Sequence, residues 1–582
     1  MPSPAAILGP EIVGAIVDAY GNDLAGTDPV LRPSEFADVQ ANCALALAKG
    51  LRKPPRTVAE AISTQIAARQ LTPLARVEVS GPGFLNFTFD DAWLAAQADA
   101  MAVDARLGVP TEPREVIPID YSSPNVAKEM HVGHLRTTIV GDCLARVLER
   151  LGHTIVRQNH IGDWGTPFGM LIEHLLDVGE ESADAALLRT DPNTFYQAAR
   201  AKFDGDESFA ARARARVVAL QAEDAETLVI WRALVGLSKG YFNRVYSVLD
   251  VTLRDGDLAG ESTYNAELAG ICEELQQRGI ARVSDGALCV FLPGYTGRDG
   301  EPLPLIIRKS DGGYGYATTD LATIRRRVHD LRAHRILYVV GATQHLHLQM
   351  VWETARLAGW LPQEIPVVHV QIGSVLGTDR KLLRTRSGES LRLLELLDEA
   401  VERARAVLDT GRHELTEHER VRIAPQVGIA AVKYADLSVA HDTDYVFDLE
   451  RMVSFVGNTG PYLQYAAARI RSILRSAGES PEAVLRDGGP IVIGNADERD
   501  LVLALLDFGD TVAEVGARYE PHRLCGYMHG LAQRYARFYE SSPVLAAESD
   551  ALRASRLRLV ALTLAVLVQG LDLLGIAAPE RM

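Results

Sequence analysis

A short strand, a polar turn, a helix and a second strand, all between residues 116 and 157, constrain this chain more than any other stretch of it. Val116 to Tyr121 reads as an apolar strand ending in the loop SSPN. Beyond it Val140, Leu144, Val147, Leu148 and Leu151 follow i, i+4, i+7, i+8, i+11. That spacing predicts a helix with one buried face. Gly152 supplies its stop and Thr154 to Arg157 the next strand, so the segment is a βαβ unit, the seed of a doubly wound parallel sheet.

In such a sheet, phosphate ligands bind beyond the carboxyl edge, where helices begin. The residues at that edge are YSSPNVAKEMHVGHLRTTIVGD, Tyr121 to Asp142. Gly133 has no side chain to block a purine or ribose, and His131 and His134 can donate hydrogen bonds to phosphate oxygens. Two histidines three apart also suit a surface face or a metal. The HExxH glutamate is absent, which counts against zinc, but spacing alone leaves these readings open.

The chain is 582 residues long, too large for one core, and its 6% aromatic content favours helices over a β-sandwich. The first hundred or so residues read as a small α/β module. Helical spacing runs through EIVGAIVDAY and from Asp38 to Leu51, and ARVEVS and FLNFTF form strands around the turn Gly81-Pro82-Gly83. TEPRE, Thr111 to Glu115, reads as a linker. Residues 171–258 read as a helical, charged insertion. Strand patches return at Leu288–Pro293, Leu303–Lys309, Arg335–Gly341 and Val367–Ser374, and their alternation with helices supports a parallel α/β sheet. From 451 to 582 the pattern is a helical bundle. The expected domains are therefore 1–110, 111–450 and 451–582.

A net charge of −16 argues against a chain that coats nucleic acid through one large basic field, though not against local basic patches. Cys43, Cys143, Cys272, Cys289 and Cys525 are scattered, with no CxxC pair, and read as reduced thiols of a cytoplasmic protein. The N-terminus lacks the basic start of a secretory signal, and the apolar run Leu559 to Val568 is about half a membrane span, so no membrane role is expected.

HVGH in this position resembles the HIGH signature of class I aminoacyl-tRNA synthetases, and SPNVAKEMHVGHLR closely resembles the arginyl-tRNA synthetase family. The likeness continues at HIGDWGTPFGMLIEHL, YGYATTDLA, GNTGPYLQYAAARIRSI and GLDLLGIAAPERM, with the letters DALR at Asp550 to Arg553. It implies an N-terminal accessory tRNA-binding module, a Rossmann-like catalytic domain and a C-terminal DALR-type anticodon-binding domain. The second class signature, KMSKS, is absent. TDRKLLRTRSG stands in its place, where Lys381, Arg384 and Arg386 could bind ATP. The resemblance implies that Lys128, just upstream of HVGH, compensates, joining His131 and His134 in catalysis and His131, Gly133 and His134 in ATP binding.

A selective arginine pocket wants a carboxylate for the guanidinium fork and an aromatic wall. The resemblance puts Tyr316, Asp320 and Gln344 there, and Ser123, Asn125 and His134 near the reacting carboxylate. Tyr316 and Asp320, four apart, share a face if YATTDL begins a helix. Seven Arg against five Asp+Glu in 521–582, with RYARFYE at 534–540, could suit unstacked RNA bases. By resemblance Tyr462, Tyr465 and Met582 meet the anticodon. No resident metal site is expected; His153, His160, His345 and His347 form no convincing ligand set.

The expected activity is arginine–tRNA ligation. L-arginine and ATP give arginyl-adenylate and pyrophosphate, Mg2+ assisting, and arginine then passes to the terminal adenosine of tRNA(Arg) with release of AMP. A monomer is expected, and the resemblance implies that activation needs bound tRNA. Two other readings share the HVGH architecture. A small-molecule nucleotidyltransferase would need no helical C-terminal domain, and a silent tRNA-binding paralogue would need none of His131, His134, Lys128, Tyr316 and Asp320.

Overall fold

In the computed structural model, residues 2–34, 36–126, 128–179, 181–297, 300–383, 391–410 and 415–582 are described. They group into two units. One holds Pro113–Ser454 with Leu574–Ile576, the other Met1–Glu112 with Phe455–Leu573 and Ala577–Met582.

The first unit is built on the βαβ segment. β1 (Val116–Asp120), α1 (Val132–Arg150) and β2 (Thr154–Gln158) are followed by α2 (Tyr316–His329), β3 (Ile336–Gly341), α3 (His345–Leu357) and β4 (Val367–Ile372). The sheet order is β4-β3-β1-β2 and every pairing is parallel, with Ile117 opposite Ile155 and Ile119 opposite Leu337. Ile117, Ile119, Ile336, Leu337 and Val339 are buried, as expected of strands covered on both faces. The face of α1 that carries Val140, Leu144, Val147 and Leu148 is buried too, each side chain contributing about 1.5–3 kcal/mol. Gly152 takes φ 106°, which ends the helix where a side chain would be strained. The chain moves from β1 outward to β2, then returns to the other side of β1 for β3 and β4. The crevice beyond β1 and β3 is therefore the switch point, the place where open α/β sheets bind ligands.

Two of the expected strand patches lie elsewhere. Leu288–Pro293 falls in Ala287–Thr296 and Leu303–Lys309 in Pro302–Arg308, and with Ala281–Ser284 these make a separate antiparallel sheet of three strands. The cause is a tight hairpin at Asp285-Gly286, with φ 49° and 79°, the left-handed pair that reverses a strand on itself. The insertion is helical, with Ala183–Thr190, Pro192–Gly205, Glu207–Gln221 and Ala225–Val248.

The second unit joins an N-terminal sheet to the C-terminal helices. Its antiparallel strands are Leu31–Pro33, Val39–Ala41, Phe84–Phe89 and Leu74–Ser80 in spatial order. The stretch expected to be helical from Asp38 begins instead with a strand, because Val39–Ala41 pairs with Phe84–Phe89; the helix is Cys43–Leu51. Arg499 of the helix Ala496–Leu506 donates to Asp38 Oδ2 at 2.8 Å, Asp91 Oδ1 at 2.7 Å and Phe89 O at 2.8 Å, tying the bundle to that module. Among the described residues no helix is long and apolar enough to cross a membrane.

Candidate active site

α1 begins at His131, whose extended backbone makes it the N-cap. Its Nδ1 accepts from Gly133 N–H at 3.0 Å, and His131 N–H donates to Nδ1 of His134 at 3.1 Å. Both Nδ1 atoms are thus acceptors, which leaves the proton of each neutral ring on Nε2. Burial lowers the pKa of His131, with Lys128 adding to the effect. Burial first, then His131, pushes His134 down to about 3. Near neutral pH these are two uncharged N–H donors, rings 4.0 Å apart, at the positive end of a helix. Gly133 also leaves room for that ring, since a Cβ there would lie 2.8 Å from Cε1 of His131 and push the imidazole aside.

The loop after β1 is strained. Ser122 and Ser123 take φ 71° and 46°, left-handed values that side chains rarely adopt. A polar lattice holds them. Ser123 Oγ donates to Asp120 Oδ1 at 2.9 Å, Ser123 N–H to Asn159 Oδ1 at 3.1 Å, and Ser122 Oγ lies 2.8 Å from Tyr246 Oη. The other oxygen of Asp120 takes a 2.6 Å bond from the fully buried Arg327.

Among the described residues three cavities meet at this crevice; one, of about 640 Å³, runs from Asn125, Glu261, Tyr316 and His347 out to Trp164 and Lys309, and the other two hold most of the expected residues. The first of these two, of about 590 Å³, is lined by Ser123, Asn125, His131, Gly133, His134 and Gln344, with Asp442 and Asp444 opposite. The second, of about 430 Å³, is lined by Tyr316, Asp320, Glu261, His160 and His347. Ser123, Asn125 and Gln344 line both, so they stand at the shared wall. Tyr316 opens α2, is exposed and lines the second cavity, its ring edge-on to His347 at 4.7 Å. Asp320, one turn on, pairs with His347 Nε2 at 2.6 Å and faces His160 Nε2 at 3.9 Å.

Glu261 was not among the expected residues. It sits in the 3-10 turn Glu261–Tyr264 after the insertion, where no periodic pattern marks it. Burial, then the charges of Asp320 and Asp163, push its carboxyl up to about 8. Such an acid gains by meeting a cation. His347, set aside at the sequence level, is likewise drawn into the site by Asp320.

The other expected residues are less central. Lys128 is absent from the His131/His134 cavity lining; its ammonium lies 3.9 Å from the ring centroid of Tyr196 in the insertion. Lys381 is exposed in a turn whose neighbours Leu382 and Leu383 line the cleft. Arg384 and Arg386 lie outside the described residues.

In the other unit, Tyr462 and Tyr465 are half-buried on the helix Gly460–Ala477. Gln464, Arg471 and Arg475 of that helix bond the carbonyls of Ala577, Ala578, Pro579 and Glu580, strapping the tail that ends at Met582 along it. The aromatic cluster at 534–540 is mostly core: Tyr535 and Phe538 are buried, and Arg534 and Arg537 are paired with Asp500. Arg556 and Arg558 are buried as well, bonded to Glu498 and to the Leu485, Gly488 and Gly489 carbonyls.

Three family models match the chain. They are the class I tRNA synthetase (R) catalytic domain over 98–449, the DALR anticodon binding domain over 463–582 and the arginyl tRNA synthetase N terminal domain over 8–89. An arginine–tRNA ligase of Thermobifida fusca is 63% identical over 582 residues, covering all of both chains. Among solved structures, the arginyl-tRNA synthetase of Plasmodium falciparum superposes with TM-score 0.83 at 25% identity, covering both chains fully. That of Thermus thermophilus gives 0.78 at 25% identity over 99% of each.

Proposed function

The chain belongs to the arginyl-tRNA synthetase family and is an ATP-dependent arginine–tRNA ligase, and from that premise we propose how its residues divide the work. The observation that carries the proposal is the shared wall of Ser123, Asn125 and Gln344 between a cavity of neutral imidazole donors and one of carboxylates.

ATP lies in the first cavity, its adenine and ribose beside Gly133 and its α-phosphate under Nε2–H of His131 and His134. Arginine lies in the second, its guanidinium between Asp320 and Glu261 with the Tyr316 ring beside it. A planar fork of five donors fits two carboxylates in a way an ammonium does not. Asp120 is already held by Arg327 and Ser123, so it braces the loop. Asn125, Gln344 and Ser123 orient the arginine carboxylate at the wall.

A carboxylate oxygen then attacks the α-phosphorus, the bond to pyrophosphate breaks, and the negative charge that builds on the phosphate oxygens is met by donors already in place. In the second step a hydroxyl of the terminal adenosine attacks the arginyl carbonyl and AMP leaves. Among the described residues no group of three His, Cys, Asp or Glu could hold a metal. Mg2+, bound with ATP, would supply positive charge against the phosphates, and Asp442 and Asp444, which line the cleft, are the carboxylates that would help to hold it. Lys128 and Lys381, with Arg384 and Arg386, add positive charge toward the triphosphate.

Residues 111–450 carry the chemistry, while 1–110 and 451–582 hold tRNA(Arg), Tyr462, Tyr465 and Met582 meeting the anticodon. The five cysteines are buried, which suits reduced thiols of a cytoplasmic protein.

Steady-state aminoacylation tests the pocket. Asp320→Asn should raise KM for arginine by roughly ten- to a hundredfold, the loss of one charged hydrogen-bond partner, and leave KM for ATP nearly unchanged. With Glu261 raised to about 8, the free protein carries a proton there at neutral pH. A guanidinium favours the ionised form, so KM for arginine should fall as pH rises through about 8, and Glu261→Gln should flatten that dependence. An Asp320→Asn enzyme with unchanged KM for arginine would refute the pocket.

A further inference from the structure

The approach to HVGH is bolted to two other segments at one point. Val132 N–H donates to Leu391 O at 3.1 Å and Leu393 N–H to Met130 O at 2.9 Å, so residues 130–132 and 391–393 pair antiparallel, His131 opposite Arg392. The backbone that sets the N-cap histidine is thereby fixed by the return of the segment that stands where KMSKS would be.

Arg392 then joins three carboxylates. Its Nε lies 3.0 Å from Glu129 Oε2, Nη2 3.0 Å from Asp191 Oδ1 and Nη1 3.7 Å from Glu395. Asn193 closes the knot from the other side: Glu129 N–H donates to its Oδ1 at 3.1 Å, and its Nδ2 donates to Glu129 Oε2 at 3.0 Å. Asp191 is the N-cap of the insertion helix Pro192–Gly205, and Tyr196, on which the Lys128 ammonium rests, is one turn further along it. One guanidinium thus connects the lysine loop, the nucleotide loop's return and the insertion.

We propose that Arg392 is a positioning residue of the nucleotide cleft, neutralising Glu129 so that the adjacent Lys128 and the His131 backbone are held for the triphosphate. Glu129 is the neighbour of Lys128 in the chain. Left unpaired and half-buried, its carboxylate would compete with the triphosphate for the lysine ammonium and set negative charge beside the phosphates. Burial already raises its pKa and Arg392 opposes that rise, which agrees with the guanidinium keeping it ionised and occupied. The inference rests on Lys128 serving ATP, as argued above.

Aminoacylation kinetics with ATP and arginine varied separately test it on the full chain. Arg392→Gln should raise KM for ATP about five- to tenfold, the scale of a partly exposed charged contact, with KM for arginine unmoved. Arg392→Lys should recover part of the loss. The double variant Arg392→Gln/Glu129→Gln, which removes the stranded charge and keeps the amide bond to Asn193, should return KM for ATP to near the parent value. Unchanged KM for ATP in Arg392→Gln, equal rises for both substrates, or no recovery in the double variant would overturn the proposal. Lys128→Ala separates the two readings. If it leaves KM for ATP unchanged while Arg392→Gln raises it, the lysine's role fails and the knot acts through His131 alone; the reverse pattern sinks the knot.

Discussion

Replacing His134 with alanine should lower kcat for arginine activation by about a hundred- to a thousandfold, the cost of removing one preorganised donor from a charge that develops in the transition state. The ring's Nδ1 is committed to His131 N–H, so Nε2–H is the atom left to meet the phosphate in the proposed mechanism. KM for arginine should change little if, as proposed, the guanidinium is held in the other cavity. The variant also loses a helix-capping acceptor, worth about 1 kcal/mol, which lowers stability far less than it lowers rate. With a pKa near 3, this ring stays neutral across the working range, so it should contribute no acid limb to the kcat profile between about pH 5 and 7. Rapid quench of adenylate formation, with tRNA present, reads the step directly.

Arg136→Leu should be the most destabilising single change in the catalytic unit. Arg136 follows HVGHL, is fully buried, and pairs through Nε with the equally buried Asp436 at 3.1 Å, while Nη1 donates to Thr443 O at 2.8 Å. Removing the guanidinium strands a carboxylate in the core, for which about 3–5 kcal/mol is the usual cost. For a unit of this size that is a fall of about 4–7 °C in thermal midpoint. Arg136→Leu/Asp436→Leu should regain much of it, because the uncompensated charge is the main penalty. Scanning calorimetry of the three proteins decides; a single variant as stable as the parent would show that the pair carries no such load.

The strand, helix and strand at 116–158 were legible because two periodicities, one of continuous apolar residues and one of 3.6, sit side by side with a glycine stop between them. HVGH was legible as a helix start at the carboxyl edge of the sheet for the same reason. Partners far apart in the chain were not. Arg136 and Asp436 are 300 residues apart, and nothing near either predicts the other. Glu261 becomes a site residue only because the fold brings it beside Asp320.

Other differences come from how little a local pattern says about its neighbours. Leu288–Pro293 and Leu303–Lys309 have the composition of parallel-sheet strands, but the Asp285-Gly286 turn, a hairpin signal present in the sequence, sends them into an antiparallel sheet. Tyr535 and Phe538 have the spacing of a stacking platform and equally of a helix core; burial selects the core. The histidines were read as donors to phosphate, and the hydrogen bonds at Nδ1 add which nitrogen donates. Gly133 was read as room for a nucleotide, and the structure adds that a Cβ there would also crowd the ring of His131.

In the proposed mechanism the imidazole cavity and the carboxylate cavity are two halves of one site meeting at Ser123, Asn125 and Gln344. A non-hydrolysable arginyl-adenylate analogue, its acyl phosphate replaced by an acyl sulfamate, spans both halves. In equilibrium binding with tRNA present, a chain saturated with the analogue should take up neither labelled ATP nor labelled arginine. Retention of either label at saturation would mean that the two substrates do not meet at this wall, and would contradict the account.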